Sequence, residues 1–411
     1  MVVRELQSWK EIAAHLGVNV RTAQKWEAER GLPVRHLPGP RRGRVHTTAG
    51  ELDAWKTSAT PQAAVHDSPQ LVARKTRPHA AIIGIAGVLG ILLAAAAFAM
   101  LWPRPPASYR VSQHALIMLD DHGREIWRKS FPSLYDAAYE HEGVWTGDLG
   151  DGRITVLFLQ YTTTSGPTSL IAYNTDGSER WRFTPGQAVH TATESFPATF
   201  RPEHFLVSPL GRDHKLRIVV TSTHNTAYPC QLALLDSNGR VLREYWHSGH
   251  LQHLLATDLD QRGWNLLVVA GINNARKAAT LLVLDPDHFT GASQEDNPSY
   301  QLQGFPPPVE IARVFFPRST MNKTLEPFPS VTRLQTDGDG LLLDVQQRLS
   351  PPDATILYRL RPNLALNSVE LSTSFERAQL WLQATGILRP FTPDDIEDLH
   401  HLTYLVKTTR E

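Results

Sequence analysis

Two groups of side chains in this chain are of a kind that could do chemistry. The first is basic. Arg21 and Lys25, then Arg41, Arg42 and Arg44, crowd into one short N-terminal stretch. Clustered guanidinium and ammonium groups there suit an anionic partner. The second is a scatter of histidines: His247, His250 and His253, spaced by threes, and the pair His400-His401. That spacing, in what reads as a loop, does not define a metal geometry. No Gly-X-Ser-X-Gly, His-Glu-X-X-His or Walker-type loop occurs. No catalytic set stands out, and the chain is not expected to be an enzyme. The single cysteine, Cys230, cannot form an internal disulfide.

The elements that must position these groups fall on either side of one apolar run. Residues 80–102, AAIIGIAGVLGILLAAAAFAMLW, hold no charge and are long enough to cross a bilayer as a helix. The run does not open the chain, which argues against a signal peptide. The chain of 411 residues has zero formal net charge, but residues 1–79 carry 13 Lys and Arg against 7 Asp and Glu. The rest is mildly acidic. Arg74, Lys75 and Arg77 precede the run closely, so the positive-inside rule predicts a cytoplasmic N-terminus in a single-pass protein of the cytoplasmic membrane. The part after the run would then be extracytoplasmic. Within the run, Ala86, Gly90 and Ala94 recur at every fourth residue. They could pack two helices into a homodimer, or simply reflect the abundance of Ala and Gly in membrane helices. Residues 58–79 are polar and Pro-containing and read as a flexible linker.

Local signals in residues 1–57 predict helix, tight turn, helix, hairpin, helix. Ser8-Trp9-Lys10-Glu11 is a capping box. Ile12, Ala13 and Leu16 share one helix face, and Gly17 ends that helix. Asn19 caps a second helix from Val20 to about Arg30, with Ala23 and Trp26 inward, and Gly31-Leu32-Pro33 stops it. Val34 to His46 reads as two extended pieces around a basic Pro/Gly tip. Thr48-Ala49-Gly50-Glu51 opens a third helix through Leu52 and Trp55.

This stretch resembles the winged helix-turn-helix of the MerR and excisionase families. The resemblance rests on Trp9-Lys10-Glu11-Ile12-Ala13, Gly17-Val18, Arg21-Thr22-Ala23-Gln24-Lys25-Trp26-Glu27, Gly31-Leu32-Pro33, the basic wing and Glu51-Leu52-Asp53-Ala54-Trp55. It implies a DNA-binding head whose second helix enters the major groove. Arg21, Thr22, Gln24 and Lys25 would face bases or nearby phosphates, and Arg41, Arg42 and Arg44 would neutralise phosphates.

From Tyr109 the pattern becomes short β-runs and polar turns. One unit, strand then Asp or Asn turn then strand, recurs around Asp120, Asn174, Asp236 and Asp285, with a worn copy at Leu357-Tyr358-Arg359-Leu360. A second unit places an acidic Gly turn before a strand, at 147–153, 257–263 and 335–340. Residues 108–373 resemble the FG-GAP and quinoprotein-like repeat families, which implies an all-β propeller of four to six blades. The first hairpin would complete a blade begun near the C-terminus. A β-sandwich remains the alternative. In FG-GAP repeats the acidic turns can bind calcium, and the matching positions are Asp148, Asp151, Asp258, Asp260, Asp337 and Asp339. With only two or three carboxylates per turn, each reads rather as an ordinary Asp/Gly turn, and no metal or other cofactor is expected. Residues 374–411 read as a tail of two helical pieces.

The expected architecture is therefore multidomain: a small α-rich head, one transmembrane helix and a propeller with a helical tail. The layout resembles membrane regulators of the ToxR and CadC type. The function it implies is a one-component transcription regulator that binds DNA inside and senses a ligand or partner outside. The rival readings are a scaffold whose head binds protein, and an extracytoplasmic enzyme on the propeller.

Overall fold

A computed structural model describes residues 5–37, 44–58, 105–134, 143–162, 168–224, 228–350 and 352–407. The chain divides into two compact units, residues 1–93 and 94–411.

The N-terminal unit is built from the local signals. Strand β1 (Glu5–Leu6) precedes helix α1 (Trp9–Leu16), where Ser8 accepts from the Glu11 N–H at 3.3 Å. Glu11 reaches back to the Gln7 N–H at 2.7 Å, one residue before its expected partner. Gly17, at φ 72°, ends α1. Asn19 caps helix α2 (Val20–Arg30), and Gly31 ends it in the left-handed region. Strands β2 (Arg35–Leu37) and β3 (Arg44–Thr48) follow, then helix α3 (Ala49–Ser58), with Thr48 and Glu51 bonded reciprocally. The strands form one antiparallel sheet in the order β1-β3-β2. Leu6, Ile12, Ala13, Leu16, Ala23, Leu32, Val45 and Leu52 make its buried core.

The larger unit is mostly strand, arranged as successive antiparallel sheets. Sheet 1 holds Ser108–Ser112, Ala115–Leu119 and Glu125–Ser130. Sheet 2 holds Val144–Asp148, Ile154–Leu159, Leu170–Tyr173 and Glu179–Phe183. Sheet 3 holds Arg201–Leu210, Lys215–Thr223, Pro229–Leu235 and Val241–Ser248. Sheet 4 holds Leu251–Thr257, Leu266–Asn273, Ala278–Leu284 and Ala312–Phe315, with Thr403–Lys407 added at its edge. Sheet 5 holds Ser330–Asp337, Gly340–Arg348, Ala354–Leu360 and Leu366–Leu371. Apolar clusters join sheet 1 to 2, 2 to 3, 3 to 4 and 4 to 5.

The repeated turns lock neighbouring sheets. In sheet 1, Trp127 donates its Nε1–H to the Thr175 carbonyl at 3.0 Å and lays its ring on Gly177, in the turn of sheet 2. Trp181 repeats this one sheet on, donating to the Ser237 carbonyl at 3.0 Å and covering Gly239. Gly177 and Gly239 have φ of 81° and 75°, where a Cβ is unfavourable and would also strike the indole. Arg243 stands at the corresponding position of sheet 3, four residues after its turn glycine. It donates from Nε and Nη2 to the Asp287 carbonyl at 3.0 and 2.7 Å.

Helix α4 (Thr320–Leu325) packs beside sheet 5. Helix α5 (Thr373–Ala384), capped by Ser372, buries Phe375, Ala378 and Leu382 in the core shared by sheets 4 and 5. Helix α6 (Pro393–Asp398) begins at a capping box of Thr392 and Asp395. The helical tail expected over 374–411 thus covers the last core, and its end returns to a sheet.

Two expectations are corrected here. A closed propeller with a first blade completed from the C-terminus is not what forms. The late strand Thr403–Lys407 pairs with Ala312–Phe315 in sheet 4, and among the described residues no apolar cluster joins sheet 5 to sheet 1. The unit is a series of small antiparallel sheets. The single-pass membrane assignment is also withdrawn. Among the described residues no helix is long and apolar enough to cross a membrane. The twelve residues of α5 span about 18 Å, against a hydrocarbon core of about 30 Å. The run at 80–102, with Ala86, Gly90 and Ala94, lies outside the described residues. The cytoplasmic N-terminus and the extracytoplasmic placement of the larger part fall with it.

Candidate functional site

The candidate surface is the outer face of α2. Its inner face is fixed by Ala23, which is fully buried, and by Trp26, whose ring centroid lies 5.9 Å from that of Trp55. Trp55 also donates to the Arg30 carbonyl at 3.1 Å, tying α3 to the end of α2. Glu27 bonds His36 of β2 at 2.6 Å. His15 and Asp53 bridge α1 and α3 at 2.9 Å, and Arg35 meets Glu51 at 2.7 Å. These contacts leave one orientation for α2.

Arg21, Gln24 and Lys25 are then exposed together, at helical spacing i, i+3 and i+4. Such a stripe can donate to phosphate oxygens, and its Gln and Arg can bond bidentately to adenine and guanine edges. Thr22 differs. It is half-buried, and its hydroxyl donates to the Asn19 carboxamide oxygen at 3.0 Å, within the cap. Glu29 lies 3.8 Å from Lys25 on the same face, so the stripe carries mixed charge. This pairing was legible as an i, i+4 couple. Arg44 begins β3. Arg41 and Arg42 lie outside the described residues.

The acidic turns of the larger unit keep their carboxylates on protein donors. Asp148 Oδ1 accepts from the N–H groups of Gly150, Asp151 and Gly152 at 2.8, 3.0 and 3.1 Å. Asp151 is paired with Arg180. Asp258 accepts from the N–H groups of Arg262 and Gly263, Asp260 meets Arg262 at 2.8 Å, and Asp337 meets Arg359 at 3.0 Å. Asp339 is exposed. Among the described residues no group of three or more His, Cys, Asp or Glu could hold a metal ion. The structure does not bring these six aspartates to one place.

The histidines are placed otherwise than expected. His247 ends a strand rather than lying in a loop, and His253 lies in the next strand. His247 is fully buried with its Nε2 3.1 Å from the Ile272 carbonyl. Burial first, then the neighbouring Arg313 charge, lowers its pKa to about 3, so it is neutral.

Arg313 anchors a buried polar group that the sequence does not announce. It is 1% exposed. Its Nε donates to Glu310 Oε2 at 3.0 Å, its Nη2 to Glu310 Oε1 and to the Tyr245 hydroxyl, and its Nη1 to the Gln294 carbonyl at 3.1 Å. Tyr245 donates to Glu310. Glu295 lies 3.8 Å away and accepts from Asn273 at 2.8 Å. Burial pushes the Glu295 carboxyl up. Burial also disfavours the Arg313 charge, but the Glu310 and Glu295 carboxylates outweigh it and hold Arg313 above the usual guanidinium range. The group joins sheet 3 to sheet 4 and reads as structural.

No protein-family model and no curated protein matches the chain. A solved structure described as "Crystal structure of the eukaryotic initiation factor" is similar at 10% identity and a TM-score of 0.27. The match covers 64% of this chain and 62% of that one. A likeness this slight carries no argument. The resemblances to MerR and excisionase heads, to FG-GAP and quinoprotein-like repeats and to ToxR and CadC regulators are therefore withdrawn, and no family match supports a DNA-binding class. What remains of the N-terminal unit is its own geometry.

Proposed function

We propose that the N-terminal unit contacts a nucleic-acid duplex through the exposed face of α2, and that the β-rich unit binds the ligand or partner that governs this contact. The protein would then act as a transcription regulator, with no turnover assigned to either unit. One observation carries the reading. The core and the Trp26–Trp55 contact seat α2 on one face, and Arg21, Gln24 and Lys25 project together from the opposite one. The family resemblance plays no part in it.

The test is binding of the full chain to genomic duplex fragments over a salt series. A steep fall of affinity with salt and a few enriched sequences support the proposal. Replacing Arg21 and Lys25 with Ala should weaken binding to all sequences, whereas Gln24→Ala should relax the choice among them. Unselective binding that survives all three changes overturns it. A second reading, in which the same face meets a protein, is favoured by Glu29 beside Lys25. It predicts no duplex affinity and a partner lost on Lys25→Glu.

A further inference from the structure

The third junction between sheets departs from the first two. Where Trp127 and Trp181 cover a turn glycine, Arg243 stands, and the turn it reaches has His288 in the glycine position. His288 keeps one bond of the turn, its N–H reaching the Asp285 carbonyl at 3.0 Å as Gly177 and Gly239 reach Asn174 and Asp236 at 2.9 and 3.0 Å. The glycines' positive φ is not kept, and the Phe289 N–H reaches the same Asp285 carbonyl at 3.0 Å. No indole fills this junction. A cavity of about 340 Å³ lies there, bordered by Val241, Leu242, Arg243, Glu244, His288 and Thr290.

We propose that this cavity binds a planar aromatic ligand bearing a negative charge, seated where the chain supplies its own indole at the two sister junctions. The Arg243 guanidinium is held by three bonds, two to the Asp287 carbonyl and one to the Leu242 carbonyl at 3.0 Å. All three go to neutral oxygens, so its charge is available to an anion. A guanidinium pinned in one plane also presents a face on which an aromatic ring stacks. Val241, 42% exposed, offers apolar wall, and Thr290 a hydroxyl. Glu244 is the carboxylate on the wall. The bond it accepts from the Trp246 Nε1–H at 3.3 Å comes from a neutral donor and cancels no charge, so the ligand's anionic group sits on the Arg243 side.

The experiment is calorimetric titration of the full chain with indole-3-acetate, alongside indole and acetate as the ring and the charge alone. Indole-3-acetate should bind at about 0.1–1 mM, as suits a ligand of this size, with each fragment at least about tenfold weaker. Arg243→Gln should weaken indole-3-acetate at least about tenfold, through loss of both charge and stacking face, and indole by less, through loss of the stacking face alone. Val241→Trp, at an exposed position, should abolish binding of both ring compounds with the thermal midpoint retained, which separates occlusion from unfolding. No saturable binding up to about 10 mM, acetate equal to indole-3-acetate, or binding untouched by both variants overturns the proposal.

Discussion

Replacing Arg313 with Met should destabilise the larger unit by about 3–5 kcal/mol, the range for removing one partner of a buried ion pair. The structure places this case at that level rather than near zero. The guanidinium is 1% exposed, both Glu310 and Glu295 have fully buried side chains, and no solvent can replace the lost partner. Four donated bonds disappear, two of them to a carboxylate. Bonds to charged groups are worth about 1.5–3 kcal/mol each. Urea unfolding followed by tryptophan fluorescence measures the cost. The informative comparison is the double variant Arg313→Met with Glu310→Gln. It removes the nearer of the two orphaned carboxylates, leaving Glu295, and Tyr245 keeps an acceptor, so it should be at least about 1 kcal/mol more stable than the single variant. A single-variant cost below about 1 kcal/mol, or a double variant no better than the single, would refute the argument that charge desolvation dominates here.

Three further outcomes follow from described contacts. His247 is neutral when folded, with its pKa lowered to about 3, while an unfolded histidine titrates near about 6.5. Its contribution is therefore complete above pH about 6.5 and is lost on acidification towards pH about 3, at about 1.4 kcal/mol per pH unit. His247→Gln should flatten that part of the stability profile, and superimposable profiles would count against it. Gly239→Ala should cost more than Gly123→Ala. Both have φ of 75°, but only at Gly239 would the new Cβ stand 2.6 Å from the Trp181 ring. The difference, about 1–2 kcal/mol, isolates the indole contact in parallel denaturation curves. Cys230 is fully buried, and burial pushes its thiol up to about 12. Thiol reagents should label it only as fast as the unit opens, so a labelling rate that ignores added urea would show another route of access.

What could be read in advance was whatever one turn of chain decides. Ser8, Asn19, Gly17, Gly31, Thr48 with Glu51, and Thr392 with Asp395 each set an element boundary through bonds to residues three to five away. The recurring Asp or Asn turns were equally visible. Their partners were not. Trp127 and Trp181 stood out as repeated aromatics, yet each acts on a turn about fifty residues further on, and no local pattern names that turn. The same distance hid the exchange of Trp for Arg at position 243. Arg313 sits in a run of four buried residues, where one charge among apolar neighbours reads as an edge position unless its carboxylate partners are known. On α2 the outward residues Arg21, Gln24 and Lys25 followed from helical period, but the cap's hold on the Thr22 hydroxyl did not.

The last strand carries a consequence for biosynthesis. Sheets 1, 2 and 3 each consist of segments adjacent in the chain, so each can close as it emerges from the ribosome. Sheet 4 cannot. Its edge strand Ala312–Phe315 must wait for Thr403–Lys407, with all of sheet 5 and three helices translated in between. Throughout that interval an apolar strand edge stands without its partner, the kind of template on which nascent chains cross-pair. Covering of that edge during synthesis would then bear on how much chain reaches the native state.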